Sequence, residues 1–111
     1  MTTDLVIIGG GGGGLPAALS ALESGIKHVI VLEKRPTTGG AAMMAGGFIF
    51  ATDTRHQAAK GLTRTADEIF QSAIEFHHYD HVKPEILRAY IDKSGSNIHW
   101  LEDNYGVEFF L

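Results

Sequence analysis

Leu5 to Ile8, "LVII", is a short apolar run that ends on glycine, a pattern that predicts a strand buried on both faces. Past the glycines, Leu15, Ala18, Leu19 and Leu22 fall at i, i+3, i+4 and i+7, one face of a helix. Pro16 suits the first turn of that helix, where its missing N–H has no partner to lose, and Gly25 supplies a stop. His28 to Leu32, "HVIVL", predicts a second strand, with Glu33 closing it. Strand, helix and strand in this order form a βαβ unit with parallel strands and a right-handed crossover, an α/β arrangement.

The pattern changes at Pro36. Through Asp53 the chain reads "PTTGGAAMMAGGFIFATD", with no sustained period and glycines in pairs, a loop that turns tightly or approaches something closely. Thr65 and Glu68 then have capping-box spacing ahead of Ile69, Ala73 and Phe76 on one helical face, with Phe70 and Ile74 beside them. A further helix is predicted to open at Pro84, to carry Leu87, Tyr90 and Ile91, and to break near Gly95. Another, capped by Ser96, carries Ile98, Trp100 and Leu101 and stops before Gly106, after which "VEFFL" reads as the start of a strand. The chain therefore divides into residues 1–53, the βαβ unit and its glycine-rich loop, and 54–111, a helical segment.

Composition narrows the function classes. At 111 residues there is room for one modest core. A net charge of −4 leaves no basic stripe for a phosphate backbone, so nucleic acid is excluded as the expected partner. Without cysteine there is no disulfide framework, thiolate metal site or thiol nucleophile. The uncharged run from Leu5 to Leu22 is too rich in glycine for a membrane helix and lacks a basic leader, so no membrane insertion is expected and the protein reads as soluble and cytoplasmic.

The six glycines from Gly9 to Gly14 carry the candidate chemistry. A dinucleotide fingerprint needs glycine at n, n+2 and n+5 between strand and helix, and Gly9, Gly11 and Gly14 make up the one register that satisfies it. The first permits a tight turn, the second admits a pyrophosphate against the backbone, and the third lets helix and strand pack closely. The pattern requires none of Gly10, Gly12 and Gly13, which are surplus to it, although Gly12 and Gly13 stand where the helix start offers free N–H groups to phosphates. Glu33, at the tip of the second strand, has the position of an acid that accepts hydrogen bonds from ribose hydroxyls and repels a 2′-phosphate. A glycine-rich linker would have no reason to lie between a strand and an amphipathic helix. This is a Rossmann-like unit, and Lys34 and Arg35 keep an NAD(P)-dependent dehydrogenase open as an alternative.

A plain nicotinamide domain would follow the acid with a loop, a helix and a third strand. This chain continues instead with "EKRPTTGGAAMMAGGFIFA". Together with "DLVIIGGGGGGLPAAL", "VLEK" and the later "KPEILRAYIDKSGSNIHWLEDNYGVEF", that stretch resembles the FAD-binding domain of the fumarate reductase and succinate dehydrogenase flavoprotein family, which includes 3-ketosteroid dehydrogenases and urocanate reductases. The resemblance covers nearly the whole chain. It implies FAD as cofactor, with Glu33 on the adenosine ribose, Lys34 beside the adenine, Gly39, Gly40, Ala41 and Ala42 around the pyrophosphate, and Ala45, Gly46 and Gly47 close to the flavin ring. Relatives carry Asn and then Ser or Thr where this chain has Ala41 and Ala42. Each lost side-chain hydrogen bond to phosphate would weaken binding by about 1.5 to 3 kcal/mol. Phe48 replaces a common glycine. No histidine lies between Pro36 and Asp53, so the flavin is expected to be noncovalent.

The family's reaction is hydride transfer between flavin N5 and an activated carbon–carbon bond, and its substrate-capping domain and catalytic residues lie far beyond the equivalent of Leu111. The chain thus reads as the amino-terminal part of a longer flavoprotein, with no catalytic residue of its own, a small-molecule substrate in the parent protein, and the rest of the flavoprotein or another subunit as partner. The alternative is a noncatalytic remnant or partner-docking piece. His77 and His81 in "HHYDH" share a helical face with Asp80 and could ligate zinc, but no remote ligand joins them, and a polar helix end explains them as well. Met43 and Met44 suit either a flavin pocket or core filling. Trp100 reads as a core anchor, and Glu75, Asp92 and Glu102 as solvated faces.

Overall fold

In a computed structural model, residues 2–76 and 82–111 are described, and they fall into two compact units, Met1–Ile49 and Phe50–Leu111. The "HHYDH" stretch, residues 77–81, lies outside the described residues.

The first unit is a mixed α/β arrangement. Strand β1 (Leu5–Ile8) pairs in parallel with β2 (Val29–Leu32), with Leu5 opposite Val29 and Ile8 opposite Leu32. Helix α1 (Gly14–Glu23) connects them and packs on one face of the sheet, half-burying Leu5 and Ile7. The other face is open: Val6, Leu32 and Ile8, the last 88% exposed, point away from α1. The expected burial on both faces is therefore corrected, because one helix covers one side of a two-stranded sheet. Within 36–53 the backbone is not wholly irregular, since Ala42–Ala45 form a 3₁₀ turn that Gly46 ends in a left-handed conformation.

The second unit holds α2 (Arg55–Ala59), α3 (Ala66–Phe76) and α4 (Pro84–Tyr105). Helix α2 was not expected; its start is a complete capping box between Thr54 and Gln57. Thr65 and Glu68 make the predicted reciprocal bonds ahead of α3, although Phe76 is exposed rather than core-facing. Helix α4 corrects the two-helix reading. Gly95 does not break it, and Ser96 is no cap but donates to the Lys93 carbonyl within the helix. A Cβ at Gly95 would lie 2.2 Å from the Thr52 carbonyl oxygen, so the glycine is a point of close backbone approach. Thr52 is buried there: its N–H donates to Ser94 Oγ at 2.9 Å and its hydroxyl to the Ile91 carbonyl at 3.1 Å. Ile74, Ile91 and Ile98 form the small core. Residues 107–111 form no strand, and α4 ends at left-handed Gly106.

Polar groups line the α2 side of α4. The Arg55 N–H donates to His99 Nε2 at 3.0 Å, while its guanidinium pairs with Asp103 at 2.8 Å and Glu102 at 3.4 Å. Glu102 also meets His56 and is only 13% exposed, so it is not the solvated residue expected. Asp92 pairs with Arg88.

Candidate cofactor-binding site

The site begins where the sheet runs out of side chains. The Gly9 N–H donates to the Leu32 carbonyl at 2.7 Å, extending the β1–β2 ladder by one bond, and Gly9 then turns at φ +98°, a conformation that disfavours any residue with a Cβ. Helix α1 opens at Gly14, with Gly13 as its cap residue, so Gly12 lies ahead of the helix. A Cβ at Gly14 would sit 1.8 Å from the Gly9 carbonyl oxygen, and the turn closes only because none is present. Gly11 differs. A Cβ there would meet nothing nearer than the Gly39 carbonyl at 3.8 Å, so the protein's own packing leaves room at that position.

Glu33 stands at the end of β2 and reaches back to the turn. Its Oε2 accepts from the Gly10 N–H at 2.8 Å and its Oε1 from the Arg35 N–H at 2.8 Å. The Arg35 and Gly10 amides hold the carboxyl below the usual carboxylate range, helped by the Lys34 amide and the Arg35 charge against a smaller cost of burial. A carboxylate has about four lone-pair sites, so two backbone donors leave capacity for ligand hydroxyls.

The second glycine pair packs on the first. The Gly39 N–H donates to the Gly10 carbonyl at 2.7 Å, Gly11 and Gly39 form an isolated parallel bridge, and a Cβ at Gly40 would lie 3.3 Å from Gly11 Cα. Between these segments lies a cleft of about 790 Å³. Of the residues singled out from sequence, Gly9, Gly11, Glu33, Lys34, Gly40 and Ala41 line it. Gly12, Gly13 and Gly14 stand at the start of α1, Gly39 is tied to the turn, and Ala42 opens the 3₁₀ segment. Ala45 closes that segment, followed by Gly46 and Gly47 at positive φ, outside the cleft lining. Arg35 and Met44 line the cleft as well, and so do Ile8 and Leu32, which the motif did not single out for this purpose. Their signal is adjacency: each flanks a strand end or a glycine of the pattern.

The glycines taken as surplus are not alike. Gly10 is buried, and a Cβ on it would meet Thr38 Cγ2 at 2.9 Å; one on Gly12 would meet Ala42 Cβ at 2.9 Å. Gly13 faces open space.

The donor set fits a dinucleotide cofactor. Helix α1 has no acidic residue in its first turn and no side-chain cap, so the N–H groups and positive end of its dipole are not answered by a protein carboxylate. Lys34 and Arg35 add positive charge at the mouth, and Glu33 is the acid of the cleft. At Gly11 the protein's own packing would accept a methyl, so that packing does not account for the glycine and a pyrophosphate against the backbone would. Among the described residues no cluster of three His, Asp or Glu could hold a metal ion, and no helix is long and apolar enough to cross a membrane.

Residues 4–111 match the sequence model of the FAD binding domain family. NADH:fumarate oxidoreductase of Klebsiella pneumoniae is 34% identical over 100 residues, 90% of this chain and 11% of that protein. Vinyl phenol reductase of Lactiplantibacillus plantarum is 34% identical over 106 residues, 96% of this chain and 21% of that protein. The fumarate reductase (cytochrome) of Shewanella frigidimarina is 34% identical over 100 residues, 90% of this chain and 17% of that protein. The chain thus spans between 11% and 21% of the length of these relatives. It belongs to the FAD binding domain family, and fumarate reductase-like flavoproteins are among its relatives.

Proposed function

We propose that this member of the family holds FAD noncovalently and serves as the nucleotide-binding part of a flavin-dependent oxidoreductase acting on activated carbon–carbon double bonds. The cleft beside Gly11, open to a ligand and unopposed by a carboxylate at the start of α1, is the observation that carries the reading. Gly9, Gly11, Gly12, Gly13 and Gly14 would present backbone to the pyrophosphate, joined by Gly39, Gly40, Ala41 and Ala42 from the second loop. Glu33 would accept from the adenosine ribose hydroxyls, and Lys34 would lie on the adenine side. Ala45, Gly46 and Gly47 would approach the ring. Ala41 and Ala42 have only backbone groups to give the phosphates, so the glycine turn and helix end supply the larger share of that contact.

A bound flavin supplies hydride transfer; the protein's part is to bind and orient it and to exclude water. No residue of this chain is assigned to proton transfer, which suits a substrate domain elsewhere in the parent protein. The open apolar sheet face of Val6, Ile8 and Leu32 favours a compatible second reading, in which further protein of the same oxidoreductase covers it.

Reconstitution tests the proposal. The purified chain, mixed with excess FAD and desalted, is expected to retain a flavin absorbance band, to quench flavin fluorescence, and to release all flavin on acid precipitation. A protein that stays colourless and binds reduced nicotinamide instead sinks the FAD reading; flavin that stays with the precipitate sinks the noncovalent part.

A further inference from the structure

We infer that the Gly10 backbone is the hub that positions both glycine loops, and that the Glu33 carboxylate is its latch before any cofactor binds. The relation to cofactor rests on the FAD reading above; the latch itself does not.

Gly10 is the one buried residue among the described residues of the first unit. Both of its backbone polar groups are used across the site. Its N–H donates to Glu33 Oε2 at 2.8 Å, which ties the turn to the end of β2, and its carbonyl accepts from the Gly39 N–H at 2.7 Å, which ties the turn to the second loop. From Gly39 the chain of bonds continues, since the Gly39 carbonyl accepts from the Met43 N–H at 3.3 Å at the 3₁₀ segment. One residue thereby links the strand end, the phosphate turn and the segment that carries Ala41 and Ala42. There is no space for a side chain at the hub, where a Cβ would lie 2.9 Å from Thr38 Cγ2 and 3.5 Å from Glu33 Oε2.

The latch calls for a carboxylate rather than any polar group. Oε2 faces the Gly10 N–H and Oε1 faces the Arg35 N–H, so two donors meet two acceptor oxygens. Glutamine offers one acceptor and turns an NH₂ toward the other amide, setting donor against donor. A glutamine amide can still hydrogen-bond ribose hydroxyls, however. Glu33→Gln is therefore read in the chain without cofactor, where only the organisation of the turn is at stake. A loop already held in its binding geometry loses less conformational freedom when a ligand arrives.

The test uses the full chain without cofactor. Amide hydrogen exchange at Gly10 is expected to speed up about tenfold or more in Glu33→Gln, as befits loss of a charged hydrogen bond, with Gly39 following and amides in the middle of α1 unchanged. Unchanged protection at Gly10 in a folded Glu33→Gln overturns the latch. The unmodified chain gives a second measurement that no folding defect can obscure. Between about pH 2 and 6, the Gly10 and Arg35 amide proton shifts are expected to titrate together with the Glu33 side-chain carbon, at a midpoint below the ordinary value of about 4.3. A Gly10 shift that ignores that titration overturns the latch equally. FAD uptake is scored separately: failure of the unmodified chain to bind it removes the functional reading and leaves the latch standing.

Discussion

Gly14 and Gly95 do the same thing in the two units, and Gly11 does the opposite. At Gly14 a Cβ would press to 1.8 Å from the Gly9 carbonyl, and at Gly95 to 2.2 Å from the Thr52 carbonyl, so at both places the glycine is spent on the protein's own packing. At Gly11 the nearest protein atom would be 3.8 Å away. The second unit closes completely around its glycine, with Thr52, Ser94 and Ile91 buried beside it, whereas the first leaves a cleft beside Gly11. A glycine whose missing side chain is filled by protein marks structure. Gly11 has neither that reason nor a positive φ, which leaves its glycine open to a ligand's claim.

The largest effects should come from filling the closed positions. Gly95→Ala would gain up to about 1 kcal/mol of helix propensity on an exposed helix, yet here it is expected to destabilise its unit by about 3 kcal/mol or more, because the obstructing atom is backbone. Denaturant unfolding followed by the fluorescence of Trp100, the single tryptophan, reads this directly. Gly14→Ala should do comparable damage to the first unit, read as lost protection of β1 and α1 amides. If either alanine raised stability, the division between closed and open glycines would fail.

Gly11→Ala comes next and reverses the pattern. Stability is expected to change by less than about 1 kcal/mol, since the added methyl meets only ordinary contacts, while FAD affinity falls about tenfold or more. Equal FAD binding by Gly11→Ala and the unmodified chain would place the phosphates elsewhere. Gly10→Ala should disturb both quantities, because Thr38 must move before the hub can keep its bonds.

What the sequence showed and hid follows the same line. The strands, α1 and the spacing of Gly9, Gly11, Gly14 and Glu33 were legible because each depends on neighbours within one βαβ repeat. Gly95 was misread as a break because local propensity counts glycine as a cost of about 1 kcal/mol, and the carbonyl of Thr52 that requires it is remote in sequence. Helix α2 was missed although Thr54 and Gln57 carry its capping box, because five residues are too few to show a period. Gly10 was taken as surplus for a related reason: its partners, Thr38 and Gly39, lie on the far loop. Glu102 was read as solvated because nothing local announces Arg55 and His56.

Acid should act on carboxylates held in two ways. Glu33 in the first unit and Glu68 in the second are lowered chiefly by backbone amides, whereas Asp103 and Asp92 in the second are lowered by side-chain bonds from Arg55 and Arg88. All four have folded values below their unfolded ones, so the unfolded chain binds more protons and stability rises with pH. Their contribution is fully present above the ordinary carboxylate range and is lost as pH falls through the folded values. The midpoint of unfolding should hold steady from neutral to about pH 5 and drop below it. Salt should weaken the drop in the second unit, whose ion pairs are exposed, more than in the first. A midpoint that rose on acidification would contradict the assigned direction.

The smallest expected effect is the sharpest check on Gly13. Its φ of −96° is open to any residue, and a Cβ would find nothing within 4 Å. As the cap residue of α1 it contributes no side-chain bond, but alanine is poorer than glycine at such a position by about 0.5 to 1 kcal/mol. Alanine also reduces the freedom of the unfolded chain, which stabilises by about 0.4 to 1 kcal/mol where the native backbone is compatible. These terms oppose each other, so Gly13→Ala is expected to shift stability by less than about 0.5 kcal/mol in either direction. FAD affinity should stay within about threefold if only the Gly13 backbone meets the phosphate. A large loss of affinity with stability unchanged would mean that the open space beside Gly13, like that beside Gly11, belongs to the cofactor.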